Sequence, residues 1–184
     1  MAYGPIYAVR VEGSGSGMPA MNRYPEAASK TFKQGVPLVL VSGYLQEIDF
    51  SAQTIVHSFS TEPAHNLVAA GVEEGGTSEG TPQNMASGKI IPVGAWMKDG
   101  KVGVYHADGR TVFAISLKAG QTFSQALIAS GTLYGLTKDG TTGFWYLDTA
   151  DTSGDNAVLR VVDQDSRDNT WVFVQVDSTK RYFN

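Results

Sequence analysis

The sequence predicts an all-β protein: an antiparallel β-barrel or sandwich with one short helix and an extended N-terminal arm. Two observations carry this. Within residues 94–148, three Asp-Gly pairs, Asp99-Gly100, Asp108-Gly109 and Asp139-Gly140, each stand between short runs rich in β-branched and aromatic residues. Asp-Gly suits the positive φ angles of a tight hairpin, because Gly has no Cβ to clash and Asp tolerates the left-handed region. The second observation is composition. Glycine occurs 21 times and charged residues make up 17%, against roughly 25% in a typical soluble domain. That balance fits tight turns and broad contact surfaces, and 42% apolar residues exclude a disordered chain. A chain of 184 residues suits one domain, with or without an arm, and buries a core without disulfides or a structural metal.

Residues 1–30 read as the arm and 31–184 as the β domain. Tyr3, Pro5, Ile6, Tyr7, Val9 and Val11 make one strand, followed by the flexible run Gly13-Ser14-Gly15-Ser16-Gly17. Met18-Pro19-Ala20-Met21-Asn22-Arg23-Tyr24-Pro25 then mixes apolar, aromatic and proline residues without a period. Two placements are open for this segment: packed on its own domain, or laid on a neighbouring subunit. The second would use Tyr3, Tyr7, Met18, Met21, Arg23 and Tyr24, since Tyr, Met and Arg are enriched at interfaces.

The domain begins near Phe32. Residues 35–41, GVPLVLV, form an apolar run bounded by glycines, a buried strand in which Pro37 implies an edge position or a strand start. Residues 54–59 and 67–70 read as further strands, joined through Glu62-Pro63-Ala64-His65. Residues 71–88 hold five glycines and no hydrophobic period, which predicts a long surface loop, either mobile or reaching a partner. Residues 89–97 lead into the Asp-Gly meander. Thr122 followed three residues later by Gln125, with Phe123, Ala126 and Leu127 on one face, predicts a capping box and a short helix plugging the barrel. Strands follow at 157–162 and 171–176, the last apolar on both faces: Trp171 and Phe173 on one, Val172, Val174 and Val176 on the other. No internal repeat of convincing length is present.

Charge and motifs narrow the function. A net charge of −4 and a pI near 5.3 argue against nucleic-acid binding, which favours a basic stripe. The absence of cysteine removes disulfide and thiolate chemistry. The N-terminal residues lack a signal-peptide pattern and no apolar run reaches membrane-spanning length, so a soluble protein without membrane contact is expected. The carboxylate groups Asp148, Asp151, Asp155 and Asp163, Asp165, Asp168 suggest calcium, but the EF-hand pattern fails. Counted from Asp163, the sixth position is Asp168 rather than Gly and the twelfth is Val174 rather than Glu. They read as turns. His57, Glu62 and His65 would hold zinc only if they converged across Pro63. The Gly13–Gly17 run is neither a phosphate loop nor a nucleophile elbow. The expectation is therefore no enzyme, no catalytic residues, no metal and no cofactor. Trp96, Trp145, Tyr146 and Trp171 would stack on sugars if exposed, or form core or interface if not. In Phe144-Trp145-Tyr146 the middle residue faces opposite to its neighbours.

Several stretches together carry a resemblance. They are FKQGVPL at 32–38, FSTEPAHNL at 59–67, VGVYHADG at 102–109, YGLT at 134–137 and WYLDT at 145–149. The chain from Phe32 onward resembles the head decoration, or cement, proteins of tailed bacteriophages. The segment before Phe32 lies outside the resemblance. It implies a non-enzymatic virion protein, made in the host cytoplasm and bound to the outer surface of the capsid. There it would staple major capsid protein subunits, as a homotrimer or a dimer. Two other roles stay open: a carbohydrate-binding module of a tail or fibre, and a head–tail connector or tube component.

Overall fold

The computed structural model describes residues 3–12, 17, 19–27, 30–64, 101–166 and 168–183. The strands are β1 (Tyr7–Val11), β2 (Asn22–Pro25), β3 (Pro37–Val41), β4 (Tyr44–Glu47), β5 (Ser58–Ser60) and β6 (Lys101–His106). They continue with β7 (Thr111–Ser116), β8 (Leu133–Lys138), β9 (Trp145–Asp148), β10 (Ala157–Gln164) and β11 (Trp171–Val176). Among the described residues one helix, α1 (Ala126–Ala129), precedes β8. The expected strand at 67–70, the loop at 71–88, residues 89–97 and the Asp99-Gly100 turn lie outside the described residues.

The all-β expectation holds. The strands form a six-stranded sheet, ordered β1-β7-β11-β10-β8-β9, and a five-stranded sheet, ordered β2-β6-β5-β3-β4. Each sheet curls: in the smaller a parallel bridge, Glu26 with Leu45, brings its two end strands together, and in the larger the bridge Leu117 with Leu147 brings the end strand β9 to the residue after β7. Neither becomes a closed barrel; the architecture is a sandwich of two curled antiparallel sheets. Its core lies between them, where Phe59 of β5 meets Phe113 of β7 with ring centroids 4.4 Å apart. Leu38, Leu45, Val102 and Val104 of the smaller sheet and Ile115, Leu136, Leu147, Leu159 and Val174 of the larger belong to the same buried cluster, all fully buried.

The Asp-Gly pairs work differently from the expectation. Asp108-Gly109 is not a hairpin turn, for β6 and β7 belong to different sheets and the pair is the corner where the chain crosses over. Asp108 stabilises it through its side chain, accepting from the Arg110 and Thr111 amides at 3.0 and 2.6 Å. Asp139-Gly140 does open a hairpin between β8 and β9, but the positive φ falls on Gly143. Asp139 acts again as a side-chain acceptor, from the amide and hydroxyl of Thr142. The two-residue turn with both φ angles positive is Ser42-Gly43, which joins β3 to β4. Pro37 stands at a strand start, where its missing N–H costs nothing.

The helix is also a correction. It starts at Ala126 behind Gln125, with no side-chain cap, so Thr122 and Gln125 form no capping box. With one turn and no buried residue it cannot plug a core. It lies against β10 outside the sandwich, with Phe123, Leu127 and Ile128 partly buried. The expected strand at 54–59 shortens to Ser58–Ser60 because Val56 pairs instead with Arg181 near the chain end. That contact gives the final residues a place that periodicity does not show.

The described part of residues 1–30 packs on its own domain. β1 forms the edge of the larger sheet and β2 the edge of the smaller one. Just before β1, Ile6 is 2% exposed and donates its amide to Gly35 O at 3.3 Å. Gly35 has a φ of +74°, and a Cβ there would stand 2.4 Å from the Ile6 nitrogen. Only glycine permits both the angle and the approach.

Candidate functional site on the outer face of the larger sheet

Register assigns the side chains of the larger sheet to its two faces. Opposed residues share a face, so Phe113, Ile115, Val172 and Val174 point to the core. The other face then carries Tyr7 and Arg10 of β1, Val112, Ala114 and Ser116 of β7, and Trp171, Phe173 and Gln175 of β11. Arg160 and Asp163 of β10 complete it. Its middle is apolar. Val112 and Ala114 are fully covered by their neighbours, while Tyr7 remains 44% exposed and leans on Trp171 at 5.8 Å and 40°. Opposite Trp171, Ser116 Oγ is buried and has no hydrogen-bond partner among the described residues.

Charge surrounds this apolar strip. Arg10 pairs with Asp163 at 3.4 Å while its guanidinium lies 5.5 Å over the Phe173 ring. Arg160 pairs with Asp177 at 2.7 Å. An aromatic centre with a rim of both signs is the anatomy of a protein-contact surface. Farther along, Tyr3 stacks on Tyr146 with centroids 4.6 Å apart, and its hydroxyl accepts from the Ala119 amide at 3.0 Å. Burial raises the Tyr146 pKa above its ordinary value. Beside it, Asp148 accepts from Lys118 Nζ at 2.7 Å and Gln121 Nε2 at 2.8 Å. Burial works against the Asp148 charge, yet these bonds hold its pKa below the usual carboxylate value. The Asp148 hydrogen bond and charge raise Lys118 in return.

The six residues expected to form a docking arm therefore separate. Tyr3 and Tyr7 belong to the larger sheet, whereas Met21, Arg23 and Tyr24 accompany β2 on the smaller one. Met21 is 50% exposed and Arg23 Nη2 donates to Lys101 O at 2.7 Å. The Tyr24 hydroxyl sits 2.9 Å from His106 Nε2. Met18 lies outside the described residues. Sequence reasoning placed Trp171 and Phe173 on one face but missed Arg10 and Val112, which join that face through strand neighbours distant in the chain. The available signal was the two-sided apolarity of 171–176.

The other candidates resolve individually. Trp145 is 5% exposed, with its indole N–H donated to Glu47 Oε1 at 2.7 Å, so it belongs to the core; Phe144 and Tyr146 face the other way. Trp96 and His65 lie outside the described residues. Among the described residues no group of three His, Asp or Glu side chains is placed to hold a metal. Within the Asp clusters, Asp168 accepts from Thr170 and Asp151 from Asn156, while Asp148 and Asp163 pair with Lys118 and Arg10. Between the sheets an open cleft of ≈ 670 Å³ runs past Phe50, Glu47, Lys138 and Trp145. Its Glu47 carboxylate is shared between Lys138 and Trp145.

Comparison with protein-family models, with curated proteins and with solved structures finds no match to this chain.

Proposed function

We propose that this chain is a non-enzymatic structural protein of a phage particle, bound to the outer surface of the capsid, where it stabilises contacts between major capsid protein subunits as a homotrimer. One observation carries the reading beyond the resemblance. The N-terminal segment supplies an edge strand to each sheet and with each an exposed hydrophobic residue, Tyr7 within β1 on the larger and Met21 just before β2 on the smaller. A domain with two such surfaces can engage two neighbours at once, which is what a staple requires. The aromatic strip of Tyr7, Trp171 and Phe173 would be the larger contact.

The test is co-sedimentation with empty expanded capsids, with mass in solution measured by light scattering. Deleting residues 1–25 is the wrong perturbation, because it strips an edge strand from both sheets and unseats Ile6. Tyr7→Ser with Trp171→Ser, and separately Met21→Ser, leave the ladders intact. Loss of capsid occupancy in both variants, from a wild-type trimer, is the expected result. Wild-type protein that ignores capsids, or binding unchanged in both variants, overturns the proposal. Sugar binding by the wild type would move it to a glycan-reading module, and a ring-shaped assembly to a connector.

A further inference from the structure

At one side of the smaller sheet five rings converge from four parts of the chain. They are Tyr24 of β2, His57 beside β5, His106 of β6, and Tyr182 and Phe183 near the chain end. His57 lies 4.9 Å from Tyr24, 5.5 Å from His106, 5.2 Å from Tyr182 and 5.0 Å from Phe183. His106 stacks on Phe183 at 4.1 Å. We propose that this cluster is a proton-sensitive clasp: neutral His57 and His106 hold the segment 180–183 against the sheet, and their protonation releases it. The inference stands whether or not the protein decorates a capsid.

His57 is 1% exposed. Its Nδ1 lies 2.9 Å from Ser58 Oγ, but Nε2 is buried with no partner among the described residues. A proton there creates a buried charge and an unanswered donor, both costly away from water. The titratable groups around it offer little relief. Tyr24 is engaged with His106 Nε2, and His106 itself repels a second imidazolium. Burial lowers the His106 pKa as well, with Asp108 acting the other way by favouring its protonation. The tail adds the cations Lys180 and Arg181, with the Arg181 guanidinium turned toward Gly109 and Val176 O.

The four parts differ in how firmly they are attached. Tyr24 and His106 lie in ladder strands, and His57 adjoins β5, with its amide bonded to Leu38 O. The tail's backbone is paired only through an isolated bridge among the described residues, Val56 with Arg181, through Val56 N to Lys180 O at 2.8 Å and Tyr182 N to Val56 O at 3.1 Å. Water reaches His57 most cheaply by lifting that tail.

Burial, with repulsion from His106 second, pulls the His57 pKa from 6.5 down to about 4. Protons therefore bind the open form preferentially. Closure is fully favoured above pH 6.5 and is lost as the pH falls toward and through 4. By this linkage the open-to-closed ratio rises about 20-fold between pH 7 and pH 5.

The test is an NMR titration of the full chain with labelled His and Phe, from pH 7.5 to 4. The expected result is His57 titrating well below 6.5, with Phe183 resonances moving to solvent-exposed values over the same range while β7 and β11 amides stay dispersed. His57→Phe keeps the ring and removes the proton, and its tail should stay docked at pH 5. The proposal is overturned if Phe183 does not move as His57 titrates, if His57 titrates near 6.5, or if a folded His57→Phe protein releases its tail at the same pH. Should that variant not fold, the native titration decides alone.

Discussion

Gly35→Ala tests how the N-terminal segment is fastened to the domain. Gly35 adopts φ +74°, and placing a Cβ in that left-handed region costs about 1–2 kcal/mol. The new methyl would also lie 2.4 Å from Ile6 N, 2.6 Å from Ile6 O and 2.6 Å from Pro5 Cβ. Backbone atoms cannot swing aside as a side-chain end can, so residues 5 and 6 must lift. Exposing Ile6 forfeits roughly 1.5–3 kcal/mol of burial, and the lost Ile6-to-Gly35 hydrogen bond about 1 kcal/mol more. The expected destabilisation is about 3.5–6 kcal/mol. Gly43 supplies the control, with φ +88° and nothing within 4 Å of its Cβ position. Gly43→Ala should cost only the conformational term, about 1–2 kcal/mol. Urea unfolding followed by tryptophan fluorescence measures both, and limited proteolysis reports whether β1 has loosened. Equal losses in the two variants, with β1 still protected, would refute the reasoning that the segment is seated on Gly35.

The other predictions concern the joint between the sheets, the core and acid. Glu47→Ala leaves the buried Trp145 N–H without its acceptor and should destabilise by about 1–3 kcal/mol, whereas Glu47→Gln, which keeps an oxygen, should recover most of it; a Gln variant no better than Ala in urea melts sinks this. Phe59→Ala removes the ring against Phe113 and should cost about 3–5 kcal/mol, with a smaller loss showing that the two sheets collapse over the gap. Asp148 has a folded pKa below 3.8, so its contribution is present above that value and lost as the pH falls through the folded pKa. Asp148→Asn should therefore flatten the stability–pH curve below pH 3.8, and an unchanged acid limb would show that the Lys118 and Gln121 bonds do not stabilise the fold.

How much of this was legible depended on range. The alternation at 171–176 and 157–162 predicts β10 and β11 because a strand's two-residue period is written in consecutive residues. The same period separated Trp145 from Phe144 and Tyr146. The segment 1–30 was harder. Tyr7–Val11 reads as a strand, but its partner is Thr111–Ala114, about a hundred residues away, and no local pattern names it. Asp108-Gly109 shows the limit from the other side, since Asp-Gly announces a turn but not whether the chain turns within a sheet or between two. His57 and Phe183 meet across most of the sequence, and nothing near either predicts the other.

The sequence by itself determined the β class, the turns at Asp108-Gly109 and Asp139-Gly140 and the absence of cysteine chemistry, because these follow from steric and compositional properties of neighbouring residues. The tertiary structure decided which strands pair, that the sheets curl without closing, and that the N-terminal segment is divided between them. It also decided which apolar side chains face outward beside Tyr7 and Trp171. Those outcomes depend on contacts between distant residues, where register sets the face of every side chain and a shift of one residue would reverse it.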